Sequence, residues 1–163
     1  MYVNQAMTTS VKTCQLQTNL DDAARLMWEG DCGAIPVVNE DHKPLGIVTD
    51  RDIAMAAMLN HQPLWDIPVA TVIQPQQPYC CSQQDTVETA LGIMEKNGVR
   101  RLLVTDEGGS LAGILSMGDA LALTQGLDGG RNKPAVSIEQ MLGMLRKVSS
   151  HHKSPELPVQ HIN

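Results

Sequence analysis

"GIVTDRDI", residues Gly46–Ile53, returns in altered form as "GILSMGDA", residues Gly113–Ala120, sixty-seven positions further along the chain. A glycine, two aliphatic residues, a hydroxyl residue and an aspartate keep one spacing in both. Sliding the chain along itself by the same interval aligns Leu20–Ile53 with Val87–Ala120 without a gap. Identities fall at Ala23/Ala90, Met27/Met94, Val37/Val104, Glu40/Glu107, Gly46/Gly113, Ile47/Ile114 and Asp52/Asp119. Self-similarity over such a stretch marks two copies of one supersecondary unit.

Within each copy the pattern predicts strand, helix, strand, strand, helix. Leu20, Ala23, Ala24 and Met27 recur at helical spacing, as do Val87, Ala90, Leu91 and Met94. Thr18 with Asp21, and Asp85 with Glu88, are expected to cap these helices. "AIPVV" with "LGIVT", and "RLLVT" with "LAGILS", flank turn-forming stretches and read as hairpins. A second helix is expected to begin near Asp52 or Asp119, and short leading strands around Lys12–Leu16 and Tyr79–Ser82. The fold class is α/β (α+β): two β-α-β-β-α lobes related by a pseudo-twofold axis, burying their sheets against each other. The first repeat is placed at 1–66 and the second at 67–126, with Trp65 and Ile67 of the connector tucked onto the surface of a lobe.

The remaining segment, 127–163, opens with turn chemistry in "GLDGGRNKP". Ser137 and Gln140 then form a capping-box pattern ahead of Ile138, Met141, Leu142, Leu145 and Val148, predicting an amphipathic helix over about 137–148. Packing on its own lobes is the expected role, with a dimer contact or partner-binding helix as the alternative. The final "SSHHKSPELPVQHIN" reads as a disordered tail.

Composition narrows the function. With 163 residues, 42% apolar and 18% charged, the chain suits one core shared by two small lobes. No apolar run is long enough to span a bilayer, and the N-terminus lacks the pattern of a secretory signal, so a cytoplasmic location is expected and membrane partners are not. A net charge of -6 disfavours nucleic acid, whose phosphates need clustered Lys and Arg. Cys14, Cys32, Cys80 and Cys81 show no metal-ligand spacing and read as buried free thiols. No metal site, catalytic residue or required cofactor is expected, and none of the phosphate-loop, nucleophile-elbow or zinc-protease motifs occurs.

The repeated motif has two compatible readings. Thr49 with Asp52, and Ser116 with Asp119, are capping boxes at strand-to-helix turns. A helix N-terminus with a hydroxyl is also an anion site, and the neighbouring carboxylate can accept both hydroxyls of a ribose. Gly46 and Gly113 permit close approach of a neighbouring strand or a ligand, or mark a bulge.

The two copies, above all "CGAIPVVNEDHKPLGIVTDRDI" at Cys32–Ile53, resemble a tandem pair of cystathionine-β-synthase (CBS) domains, the Bateman module, over about residues 7–125. The resemblance implies a non-catalytic sensory module binding AMP, ADP, ATP or S-adenosylmethionine in clefts between the repeats. It also implies a disc-like homodimer acting on an effector protein. Carried over to this chain, Asp52 and Asp119 would hold ribose, and Thr49 and Ser116 the first phosphate. Tyr79, Val99 and Arg100 would line the adenine pocket of the Thr49/Asp52 cleft, with Arg101 reaching phosphate; Lys12, Cys32, Gly33 and Ala34 would line that of Ser116/Asp119.

The two clefts differ in charge. Arg51 lies within the first motif and Arg101 can face the same cleft, whereas Met117, Gly118, Gly33 and Ala34 take the corresponding places of the second. The first cleft is therefore expected to prefer a phosphorylated adenosine. The competing reading is an interaction scaffold with degenerate clefts, and a surface ion pair is the alternative role for Arg100 and Arg101.

Overall fold

The computed structural model describes residues 1–73, 78–124 and 136–149. The first lobe runs α1 (Leu20–Glu29), β1 (Ala34–Val38), β2 (Pro44–Thr49) and α2 (Asp50–Asn60). The second runs β3 (Cys80–Ser82), α3 (Val87–Asn97), β4 (Arg101–Thr105), β5 (Leu111–Ser116) and α4 (Met117–Ala122), followed by α5 (Ile138–Ser149). The hairpins repeat to the residue. Ala34 pairs with Thr49 and Arg101 with Ser116, and both ladders slip at the same place, between Val37 and Val38 and between Val104 and Thr105. The tail after Ser149 and the turn-rich 127–135 lie outside the described residues.

Two local expectations shift. β3 runs parallel to β4, but its counterpart around Lys12–Leu16 reduces to one parallel bridge, Cys14 to Val37. The helix caps stand one residue later than expected: Asn19 accepts from the Asp22 amide and Thr86 from the Thr89 amide. Thr18 and Asp85 are already used in the preceding turns, accepting the amides of Gln15 and Ser82 at 3.0 and 2.8 Å. At α2, α4 and α5 the expected boxes form, through Thr49/Asp52, Ser116/Asp119 and Ser137/Gln140.

Each repeat sends its leading segment to the opposite lobe. Val3 opens a 3-10 turn and is fully buried among Val87, Ala90, Met94 and Leu102 of the second lobe. Val69 opens the matching turn and is fully buried among Leu20, Ala23, Ile35 and Val48 of the first. The bonds that hold them correspond: Val3 N–H donates to the Asp85 carbonyl at 2.9 Å, and Val69 N–H to the Thr18 carbonyl at 2.7 Å. Ile67 is buried with Val69, as expected, but Trp65 is 65% exposed. It sits in the turn Leu64–Asp66, whose period of three points Leu64 and Ile67 inward and Trp65 outward.

The lobes meet through their sheets. Val38 and Ile47 pack on Leu103, Leu111, Ile114 and Cys80, and Leu111 N–H donates to the His42 carbonyl at 2.9 Å. α5 packs on the second lobe, burying Met141, Met144 and Val148 in its core. Of the stripe read from sequence, Ile138 and Leu142 stay exposed and Met144 is buried in addition, because the contact with α3 lies along 141–144–148.

Candidate functional site

The turn from β2 into α2 is tied by a reciprocal pair. Asp52 Oδ2 accepts the Thr49 amide at 2.8 Å and the Thr49 hydroxyl at 2.7 Å, while Thr49 Oγ1 accepts the Asp52 amide at 3.2 Å. Ser116 and Asp119 repeat this with distances of 2.8, 2.6 and 3.2 Å. In both copies the turn is fastened to the residue just before the hairpin's first strand, Asp50 N–H donating to the Gly33 carbonyl and Met117 N–H to the Arg100 carbonyl. Local capping chemistry thus aims two half-sites, each a hydroxyl and a carboxylate at a helix N-terminus.

Around the first half-site lies a cavity of about 430 Å³, within the range of small-molecule sites. The first lobe supplies Thr49 and Asp52, and the second supplies Tyr79, Val99, Arg100 and Arg101. These are six of the seven residues assigned to this cleft from sequence. The seventh, Arg51, is exposed on the first turn of α2 and is not part of the lining, because the helix turns its side chain away from the Thr49/Asp52 face. The rest of the wall was not anticipated: Gly46 and Ile47 from the motif itself, and Val72, Ile73 and Pro78 from the connector. The available signal was the apolar Val72-Ile73 pair closing the run Ile67–Ile73, just before the polar Gln74–Gln77. Ile73 comes against Gly46, where a Cβ would stand 3.1 Å from its Cγ2.

The arrangement has a chemical polarity. Val72, Ile73, Pro78 and Val99 offer an apolar slot for a flat ring, Asp52 an acceptor for hydroxyls, and the two arginines cationic donors for an anion.

The residues assigned to the second cleft make other contacts, and none of them lines the cavity around the first half-site. The Lys12 ammonium pairs with Glu29 at 2.8 Å and lowers the pKa of that exposed carboxyl, chiefly by hydrogen bonding. Cys32 and Gly33 line a separate depression between α1 and α2, and Asp50 lies over Gly33, its Oδ2 2.9 Å from where a Cβ would be. Ala34 is buried in β1 opposite Thr49. Beside the second motif, the chain's own N-terminal segment is pinned to β5: Thr8 and Ile114 exchange both backbone hydrogen bonds, at 2.9 and 3.0 Å.

The thiols also divide. Cys14 and Cys81 are buried and desolvation pushes them up to about 11 and about 12; Cys80 is half-buried and raised for the same reason. Cys32 is exposed, contrary to the reading of all four as buried, because it lies past the end of α1 on the rim of the depression. Among the described residues no helix is long and apolar enough to cross a membrane.

Comparison with known proteins agrees with this geometry. The CBS domain-containing protein YhcV of Bacillus subtilis is 34% identical over 123 residues, 76% of this chain and 84% of that one. A conserved CBS domain protein from Thermoplasma acidophilum shares the fold with a TM-score of 0.73 at 19% identity, over 92% of this chain and 77% of that one. CBSX2, solved in complex with AMP, matches with a TM-score of 0.63 at 26% identity, over 74% of this chain and 93% of its own. The family model described as CBS domain matches twice, at residues 3–59 and 69–126. Two matched copies, one repeated hairpin register and two equivalent capped turns place the chain in the CBS domain family.

Proposed function

We propose that this chain is a non-catalytic regulatory module that takes an adenosine-containing ligand, AMP, ADP, ATP or S-adenosylmethionine, between its two repeats. The repeats are taken as 1–66 and 67–126, and 127–163 as a C-terminal appendage. The observation that carries the reading is the cavity with Thr49 and Asp52 on one wall and Arg100 and Arg101 on the other. A ligand there touches both lobes, so its affinity depends on the angle between them and its binding shifts that angle. The AMP bound by the related CBSX2 supports an adenosyl group as the class.

Asp52 takes the ribose hydroxyls, Val72, Ile73 and Val99 sandwich the adenine, and Arg100 and Arg101 take the phosphate. Phosphorylated adenosine is therefore preferred in this cleft. The cleft of Ser116 and Asp119 opposes Gly33 and Ala34 where the first has the arginine pair, and binds weakly, takes an uncharged adenosyl group or stays empty. The module acts in the cytoplasm as a homodimer that hands its change of shape to an effector protein.

Calorimetric titration with AMP, ADP, ATP and S-adenosylmethionine, on wild type, Asp52→Ala and Asp119→Ala, tests this. Binding that survives Asp119→Ala and is lost in Asp52→Ala is expected. No heat with any of the four, and no rise in melting temperature, would replace the sensor with an interaction scaffold, since a ligand at a hundred times its Kd stabilises by about 2.7 kcal/mol.

A further inference from the structure

We infer that the hydrogen bond from the Leu111 amide to the His42 carbonyl is the pivot on which the two lobes turn as the first cleft closes on its ligand; this rests on the ligand reading above. The lobes are held lightly to each other. Among the described residues, the apolar clusters inside them contain eleven and fourteen buried residues, whereas the cluster between the sheets contains three, Val38, Leu103 and Leu111. Bodies packed so firmly within and so lightly between move against each other before either deforms.

The junction also breaks the symmetry of the repeat. The sixty-seven-residue interval carries His42 to Gly109 and Pro44 to Leu111. The two hairpin turns have one shape: His42 and Gly109 stand at φ 60° and 79°, and Val38 pairs with Pro44 as Thr105 pairs with Leu111. Leu111 N–H donates across the junction to the His42 carbonyl at 2.9 Å. The twofold counterpart of that bond would run from residue 44 to the Gly109 carbonyl, and a proline has no N–H to give. Ser110, whose counterpart is Lys43, adds its hydroxyl on the bonded side, 3.5 Å from the Asp41 carbonyl. Backbone bonds on both sides of the axis would clamp the turns together; a bond on one side gives them a point to rotate about.

Pivot and cleft stand at opposite ends of the hairpins. The Leu111 bond joins the turn ends, while the cleft lies at the open ends, where Thr49 closes β2 and Arg101 opens β4. From Pro44 to Thr49, β2 is a lever about 16 Å long. A rotation of about 4° at the turns therefore carries Thr49 by about 1 Å relative to the arginines, enough to make or break hydrogen bonds to a ligand held between them. Pro44 is not part of the cavity wall, so it acts on the ligand only through the angle between the lobes and is a positioning residue.

Nuclear magnetic resonance on the full chain, free and saturated with AMP, tests the pivot. Residual dipolar couplings should give different angles between the lobes in the two states. The Leu111 amide should exchange at least about a hundredfold more slowly than an exposed amide in both. Pro44→Ala supplies the missing N–H, and the new amide should be protected likewise. Because the free angle is then held from both sides, AMP affinity should fall roughly threefold to tenfold, the net contribution of one hydrogen bond. An unchanged angle, a Leu111 amide that exchanges freely in either state, a new amide left unprotected, or wild-type affinity in Pro44→Ala overturns the pivot and leaves the ligand reading standing. A chain that gives no heat with AMP, ADP, ATP or S-adenosylmethionine overturns both.

Discussion

Thr8 lies so close across Gly113 that a Cβ on that glycine would stand 2.6 Å from the Thr8 carbonyl oxygen. The carbonyl is held by the Ile114 amide at 3.0 Å and has little freedom to retreat. Gly113→Ala is expected to destabilise by about 1–3 kcal/mol through overpacking, read as a lower melting temperature. At Gly46 the close neighbours are instead side-chain carbons, Ile73 Cγ2 at 3.1 Å and Cδ1 at 3.2 Å, and a shift of a few tenths of an ångström in that half-buried residue relieves the contact. Gly46→Ala should therefore melt closer to wild type, and equal losses at the two glycines would contradict the backbone contact as the cause.

Asp52 and Asp119 make the same capping bonds, so their loss should cost the same stability. Each change to alanine is expected to remove about 0.5–2 kcal/mol, measured by urea unfolding. Binding should separate them: only Asp52→Ala loses AMP. A variant that kept AMP while losing the stability would confine Asp52 to capping.

Arg101→Met retains bulk in the cavity wall and deletes its charge. A charge-assisted hydrogen bond contributes about 1.5–3 kcal/mol, so AMP affinity should fall roughly tenfold to a hundredfold while adenosine affinity stays within a factor of two or so. A parallel loss for adenosine would mean that Arg101 shapes the ring slot and does not meet the phosphate.

His42 stands at φ 60°, where the second repeat has Gly109 at φ 79°. A side chain in this region costs about 1–2 kcal/mol, and a glycine's extra freedom in the unfolded chain offsets about 0.5–1 of that. His42→Gly should thus raise stability by a few tenths to about 1 kcal/mol, since its bond to Leu111 uses the backbone carbonyl and is kept. Thermal melts at neutral pH would show it, and a loss would reveal a contribution from the imidazole.

Burial raises the Cys14 and Cys81 thiols to about 11 and about 12. Because the folded values lie above the unfolded ones, the unfolded chain releases these protons first. Their contribution is complete below about pH 8.5 and is lost as pH rises toward the folded values. The urea midpoint should fall between pH 7.5 and pH 10, and fall less steeply in Cys14→Ala and Cys81→Ala. At neutral pH a thiol reagent should label Cys32 rapidly and these two only on unfolding.

The duplication and the capped turns were legible because both are written in local chemistry: a hydroxyl and an acid three residues apart, after a strand, form the same bonds in both copies. The hairpins followed from paired apolar runs on either side of a turn-forming stretch, though not their register. Less legible was anything decided by competition or distance. Thr18 could cap α1 on paper, but closing its own turn with Gln15 comes first, and Asn19 takes the cap. Six of the seven first-cleft residues met, whereas Arg51 pointed away because helix phase is set by its neighbours. The exchange of Val3 and Val69 between lobes left no periodic trace in such short segments.

That exchange has a consequence for how the molecule comes apart. Val3 belongs by sequence to the first repeat and by burial to the second lobe, and Val69 the reverse. Melting either lobe releases a fully buried valine's worth of the other's interior, so neither half can open alone without wounding its twin. The chain is expected to unfold in one cooperative step, and severing the connector should yield fragments that hold together far better than either holds itself.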